Sequence, residues 1–277
     1  MNVQNLQERT FDSTYDYRAG SPHLAHRQLY DPLVAQVLSH LRDVGDRGLS
    51  PTVLEVGAGH GGYTEPVLAA GGRVTATEMS RPSLIRLEER YGRNENFRGR
   101  FDPDGSLAVL GDERFSLVLC ASVLHHIPDY LSFVRRLVTE HLAVGGTFLS
   151  LQDPLWYASV PPSTRLFDRF AFLSWRTTRG NYRKGALTLG RRLRGVYDEN
   201  DPGDMVEYHV VRKGVDQDAL TAALGDAFEH HGLETYWSTP AAVWQRVGHR
   251  VGLRNTFLFL GKGYLGGFGE TLSSRPT

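Results

Sequence analysis

The sequence has one cysteine, Cys120, no net charge and no long apolar run. A single thiol excludes an internal disulfide framework and a cysteine-rich zinc site. Lys plus Arg and Asp plus Glu are balanced at 31 each, so the basic excess of a general nucleic-acid binder is missing. The longest apolar strings, Leu117-Val118-Leu119-Cys120-Ala121 and Phe257-Leu258-Phe259-Leu260, are strand-sized. They fall far short of the ~18 consecutive apolar residues that a membrane span needs. The first residues, Met1-Asn2-Val3-Gln4-Asn5-Leu6, show no basic stretch leading into an apolar one, so no secretory signal is expected and the reading is cytoplasmic. Repeats and low-complexity segments are absent as well. What remains is an ordinary globular composition, 40% hydrophobic and 22% charged over 277 residues, enough for one large domain or a domain with a lid.

Apolar spacing organises that chain. Leu29, Leu33, Val34, Val37, Leu38 and Leu41 recur at three- and four-residue intervals and predict a helix in a prefix over 1–50. Strands are predicted at Thr52–Val56, Arg73–Thr77, Phe97–Phe101, Phe115–Ala121 and Thr147–Leu151. Helices are predicted between them, at Tyr63–Ala70, after Ser80 and at Tyr130–Leu142. Strands alternating with helices of this length mean β-α-β units and a parallel sheet. After Asp153-Pro154 the alternation stops, and 155–210 reads as an inserted lid or substrate-binding segment. A helix near Asp216–His231 and strands at Leu233–Ser238 and Arg254–Leu260 then close an α/β domain over 51–154 and 211–265.

The most informative stretch is Glu55-Val56-Gly57-Ala58-Gly59-His60-Gly61-Gly62, between a strand and a helix. Gly57, Gly59 and Gly62 fit the dinucleotide fingerprint G-x-G-x-x-G, a weak signal alone. Glu55, Gly57, Gly59 and Gly61 fit E-x-G-x-G-x-G, which resembles motif I of the class I S-adenosylmethionine-dependent methyltransferases. The acid chooses between them: a carboxylate repels a pyrophosphate and attracts an ammonium or a sulfonium. Three further segments strengthen the resemblance. Thr77-Glu78-Met79-Ser80 ends the second strand with an acid, Leu124-His125-His126-Ile127-Pro128-Asp129 follows the fourth strand, and Leu142-Ala143-Val144-Gly145-Gly146 precedes the fifth.

The resemblance implies an α/β fold, a doubly wound, seven-stranded, mostly parallel Rossmann-like sheet, with an antiparallel last strand. It adds an N-terminal helical cap and an inserted lid. It implies S-adenosyl-L-methionine as cofactor. Glu55, Gly57, Gly59 and Gly61 would lie at its methionine end, Glu78 on the ribose and Met79 against the adenine. Asp102 would read the adenine amino group, Ala121 would offer a backbone contact, and Tyr17 and Arg18 would close the site from the prefix. The activity implied is methyl transfer to a small molecule, as in secondary metabolism.

Transfer from a sulfonium is an in-line displacement that needs alignment and water exclusion more than a protein nucleophile. A hydroxyl acceptor gains from a general base, and His125, His126 and His209 are the candidates. If the segment is extended, His125 and His126 point opposite ways and only one faces the substrate. His125, His126 and Asp129 lack a helical metal-ligand spacing, so no metal is expected. His230-His231 reads as a cationic cap on a helix end, and Cys120 as a small core residue. Between Arg165 and Arg194 stand nine basic residues and one acid, Asp168, interleaved with aromatics. That pattern suggests an anionic, aromatic or carrier-bound acceptor. Two other classes compete: an RNA or protein methyltransferase, and a protein of this fold catalysing a reaction without methylation, such as cyclisation. Transfer of label from S-adenosylmethionine to small or large molecules, or to neither, discriminates the three.

Overall fold

The computed structural model describes Ser21, His23, residues 26–178 and residues 214–268. Tyr17, Arg18, His209 and most of the basic stretch, from Arg179 onward, lie outside the described residues. Seven strands form one sheet: β1 Thr52–Val56, β2 Arg73–Glu78, β3 Phe97–Phe101, β4 Phe115–Ala121, β5 Leu142–Pro154, β6 Phe228–Tyr236 and β7 Thr256–Tyr264. Their order is β3-β2-β1-β4-β5-β7-β6. All neighbours pair in parallel except β7, which runs antiparallel to both β5 and β6. This is the doubly wound arrangement expected. The winding reverses between β1 and β4, so a crevice opens beyond the carboxyl ends of those two strands.

Helices cover both faces: α1 Arg27–Asp46, α2 Thr64–Ala69, α3 Arg81–Tyr91, α4 Tyr130–His141, α5 Pro162–Thr178, α6 Gln217–Leu224 and α7 Ala242–Arg250. On one side Leu54, Val118 and Cys120 of the sheet pack with Val134 and Leu137 of α4 and Leu220 of α6. On the other, Val53, Leu117 and Leu149 pack with Leu33, Val37 and Leu41 of α1 and Leu87 of α3. Successive residues of β4 therefore enter opposite layers, which is why its apolar run is continuous rather than alternating. Ser80 caps α3, accepting the Ser83 N–H at 3.4 Å, with Pro82 in the first turn as the sequence indicates.

The C-terminal third departs from the expected boundaries. The helix expected over Asp216–His231 stops at Leu224. His230 and His231 belong to β6, paired with Lys262 and Gly261, so they cap no helix. The His231 ring instead fills the space a side chain on Gly225 would need, 2.9 Å from that Cβ position. Helix α7, between β6 and β7, has no counterpart in the sequence reading. It is docked by packing more than by caps. Gln245 accepts the Thr239 N–H and donates to the Trp237 carbonyl, and Gly248 leaves room for the Trp237 indole.

Candidate active site

The glycine loop leaves β1 at the crevice. Gly57, Gly59 and Gly61 all take left-handed backbone, with φ of 62°, 56° and 77°. A β-carbon is strained there. Their surroundings differ. A Cβ on Gly57 would reach 3.0 Å from Val123, in the segment after β4. One on Gly61 would strike Tyr91 and Leu87 of α3, at 2.7 and 2.9 Å. Gly61 thus lets the loop pack closely on α3. The Tyr30 hydroxyl of α1 donates to the Gly62 carbonyl, and His23 meets the Tyr236 hydroxyl at 3.0 Å. The prefix is fastened across the rim of the sheet by these two contacts.

Two buried carboxylates support the loop. Glu55 accepts the Thr64 hydroxyl at 2.5 Å and the Tyr63 N–H, tying β1 to the start of α2. Burial pushes its pKa from an ordinary 4.5 up to about 7. Glu78 ends β2 and accepts the Gly59 N–H at 2.8 Å and the Ser80 N–H at 2.9 Å. Burial raises its pKa too, against the pull of those N–H groups. Neither acid is in an ion pair among the described residues. An acidic, cation-free floor suits a ligand that brings positive charge and hydroxyl donors, and opposes a pyrophosphate.

The state of Glu55 has a measurable consequence. An acid whose pKa rises on folding destabilises the fold once it is ionised. The penalty is absent below the unfolded pKa, grows as pH rises from about 4.5, and is full above about 7. It amounts to about 3 kcal/mol for this shift. In the cofactor-free protein, the stability of Glu55→Gln relative to wild type should therefore improve between pH 5 and pH 8, read from thermal melts. A pH-independent difference contradicts this reading of Glu55.

The remaining cofactor candidates line the same edge. Met79 is half-buried, its sulfur 3.6 Å from where a Cβ on Gly105 would stand. Asp102 is buried and holds the Leu107 N–H with both oxygens, at 3.3 and 3.2 Å. Burial raises its pKa. Ala121 ends β4, and the next residue, Ser122, donates its N–H to the Leu151 carbonyl at 2.8 Å. Leu107, Ser122 and Gln152 are the non-glycine residues with positive φ among the described residues, at 63°, 59° and 69°. Leu107 and Ser122 follow β3 and β4, and Gln152 sits at the register shift near the end of β5, places where such strain commonly marks function.

The histidines do not alternate as expected. Leu124–His126 is a 3-10 turn, not extended chain, and the two ring centroids lie 4.0 Å apart, tilted by 44°. His125 is buried, with Nδ1 2.6 Å from Oδ1 of Asp153, which also accepts the His125 backbone N–H at 3.2 Å. The other Asp153 oxygen accepts the Ser150 hydroxyl at 3.1 Å. Because the carboxylate accepts, Nδ1 is the protonated nitrogen and Nε2 the basic one. His125 lines a cavity of about 290 Å³ with Ile127, Pro128, Tyr130, Trp156 and Val215. Asp129, considered above with the histidines, caps α4 by accepting the Ser132 N–H at 3.2 Å. Asp153 was not among the sequence candidates; its signal was an acid at the end of the fifth strand, just before Pro154.

Arg165 and Arg169 turn to Tyr157. The first stacks on its ring at 4.7 Å and the second donates to its hydroxyl at 2.8 Å. Neither lines the cavity beside His125.

Comparison with known proteins agrees with this geometry. Residues 54–148 match the family described as methyltransferase domain. Over 150 residues the chain is 29% identical to a ubiquinone biosynthesis O-methyltransferase of Methylobacterium sp. (strain 4-46), covering 50% of this chain and 57% of that protein. Over 167 residues it is 32% identical to a ribosomal RNA small subunit methyltransferase A of Erythrobacter litoralis (strain HTCC2594), covering 57% of each. The chain thus spans little more than half the length of these relatives. Among solved structures, a geranyl diphosphate methyltransferase in complex with S-adenosylmethionine superposes with a TM-score of 0.53 at 11% identity, covering 92% of this chain and 94% of that one. The likeness to that structure extends to the whole sheet and shows a shared fold, and residues 54–148 match a methyltransferase domain.

Proposed function

We propose that this protein methylates a hydroxyl group on a small, largely apolar molecule, with S-adenosyl-L-methionine as donor. The observation that carries the reading is the His125–Asp153 pair beside the cavity beyond β4. When bound, S-adenosylmethionine would supply an electrophilic methyl carbon for in-line attack by the acceptor oxygen, the C–S bond breaking and the sulfur leaving as the neutral thioether of S-adenosylhomocysteine. Gly57 and Gly59 would let the methionine portion lie on bare backbone, Glu78 would take the ribose hydroxyls, and Glu55 would favour the positive charge through the loop. The residues fit this group because, among the described residues, neither acid is in an ion pair. His125 would take the acceptor proton at Nε2, with Asp153 fixing the ring and stabilising its charged form. Ile127, Pro128 and Trp156 would exclude water. With Arg165 and Arg169 held at Tyr157, an apolar acceptor suits the described cavity better than an anionic one. One curated relative bears the name of an O-methyltransferase, which agrees with a hydroxyl acceptor.

The other bears the name of a ribosomal RNA methyltransferase, so the decisive experiment separates acceptors by size. The protein is incubated with methyl-labelled S-adenosylmethionine and cell extract, then the label is partitioned between small molecules and macromolecules. Label in a small molecule, retained through mild hydrolysis as expected of a methyl ether, is the expected result. Label in RNA or protein overturns the acceptor class. Tight cofactor binding with no transfer favours a non-methylating reaction. Glu78→Ala should weaken cofactor binding by about 1.5–3 kcal/mol, the worth of hydrogen bonds to a charged group; unchanged affinity in calorimetry removes Glu78 from the ribose.

A further inference from the structure

Helices α5 and α7 are each buried on one side and conspicuously apolar on the other. On α5, Thr164 and Ala171 are buried, and Phe167 packs edge-on against Trp237 and Trp244. The opposite stripe carries Leu166, Phe170 and Leu173, exposed by 70%, 53% and 53%. These fall at i, i+4 and i+7, one line along the helix. On α7, Val243 and Val247 are exposed by 63% and 36%. The stripes adjoin where Phe170 meets Trp244, at 5.0 Å between rings. Both helices are anchored behind, since the Trp244 indole donates to Ser174 at 3.0 Å and the Trp237 indole to the Trp244 carbonyl at 3.1 Å. The stripe is therefore displayed by a braced scaffold rather than by loose chain.

The charge on this face has one sign. Arg165 and Arg169 flank the α5 stripe, and Arg246 and Arg250 stand exposed on α7. None of the four is in an ion pair among the described residues. The one acid in either helix, Asp168, faces inward, taking the Asn255 amide at 3.3 Å. Burial pushes its pKa up to about 6, which weakens its negative charge further. Aliphatic and aromatic side chains projecting between arginines, on paired convex helices with no carboxylate facing water, are complementary to a bilayer interface with anionic headgroups. A second copy of the chain fits poorly, because a two-fold contact would set these arginines against their own images.

We propose that α5 and α7 form a peripheral docking face for membranes containing anionic phospholipid, with Leu166, Phe170 and Leu173 entering the interface and Arg246 and Arg250 meeting headgroup phosphates. The face does not depend on the identity of the methyl acceptor.

The test is co-sedimentation of the whole protein with vesicles of phosphatidylglycerol and phosphatidylcholine, against vesicles of phosphatidylcholine alone, at low and moderate salt. Partitioning onto the anionic vesicles, at least ten-fold weaker on the neutral ones and reduced by salt, is expected. Two variants at exposed positions probe the contact. Arg246→Gln with Arg250→Gln should lower partitioning by about 30-fold, taking one headgroup interaction per arginine. Leu166→Gln with Leu173→Gln should lower it by ten-fold or more at every salt concentration. Circular dichroism and cofactor affinity should match wild type in both. The proposal fails if wild type stays in the supernatant, if both vesicle types bind it equally, or if either pair leaves partitioning unchanged. It fails equally if wild type is a stable dimer in sedimentation and the leucine variants make it a monomer, because the stripe is then a contact between copies.

Discussion

Replacing His125 with asparagine should lower kcat by 100-fold or more and leave cofactor affinity within about two-fold, once an acceptor is in hand. The separation follows from position. His125 sits beyond β4 beside the cavity, whereas the cofactor candidates Gly57, Gly59 and Glu78 belong to the β1 and β2 ends. Asparagine retains polarity in a buried place but has no basic nitrogen. Asp153→Asn is the sharper companion. It keeps the shape, yet its amide can donate where the carboxylate accepted, which turns the imidazole to the other tautomer and moves the proton to Nε2. A loss of about 100-fold to 10,000-fold in kcat is expected, with little change in the acceptor Michaelis constant. Ser150 and the His125 backbone N–H also bond Asp153, so both variants need thermal melts beside the kinetics. Lost turnover with an unchanged melting temperature places the defect in the chemistry rather than in the fold. Full activity in both variants means that the acceptor needs no base from this pair and sinks the proposed mechanism.

Gly57→Val should weaken S-adenosylmethionine binding by more than 100-fold in calorimetry. Two independent causes act together. The backbone at Gly57 has φ of +62°, which a β-branched residue adopts only at a cost of about 1–3 kcal/mol. Its Cβ would also lie 3.0 Å from Val123, closing the gap between the glycine loop and the segment after β4. Gly61→Val separates packing from binding. Its side chain would strike Tyr91 and Leu87, so it should lower the melting temperature first and affinity only through the displaced loop. If Gly57→Val binds normally while remaining folded, the loop is a turn and not a cradle.

The central sheet was legible in the sequence because β1, β2 and β4 are short, mostly buried and bounded by their own punctuation, although β5 starts at Leu142, five residues before the strand expected from Thr147. Phe97–Phe101 and Phe115–Ala121 coincide with the observed strands, and Pro51 precedes β1 directly. The glycine loop was equally plain, since only glycine occupies three left-handed positions cheaply. The C-terminal third was harder for a definite reason. In Phe228–Tyr236 most side chains are exposed or half-buried, as suits the last strand in the order. Its histidines and glutamates then carry no apolar signature. Helix α7 depends on Trp237 seated over Gly248 and on Gln245 bonding across to Thr239, contacts that no local pattern announces. The His125–Asp153 pair was half legible. The histidine stands in a motif, but its partner is 28 residues away and becomes a neighbour only because β4 and β5 are adjacent. The rule of alternating side chains failed at His125 and His126 because a tight turn, not a strand, carries them.

The placement of β7 bears on how this molecule is made. Its residues, Thr256–Tyr264, insert between β5 and β6, both of which leave the ribosome earlier. Nascent chain that has emerged only as far as β6 therefore holds the long β5 with one flank unpaired and β6 without a neighbour. Such open edges are templates for aggregation. The ladder of β7 with β5 closes over a sequence separation of more than 100 residues from Leu149 to Leu260, a slow kind of closure. Chaperone demand during synthesis should thus be greatest late in translation, and a stop codon anywhere before β7 should yield an insoluble product rather than a smaller working domain.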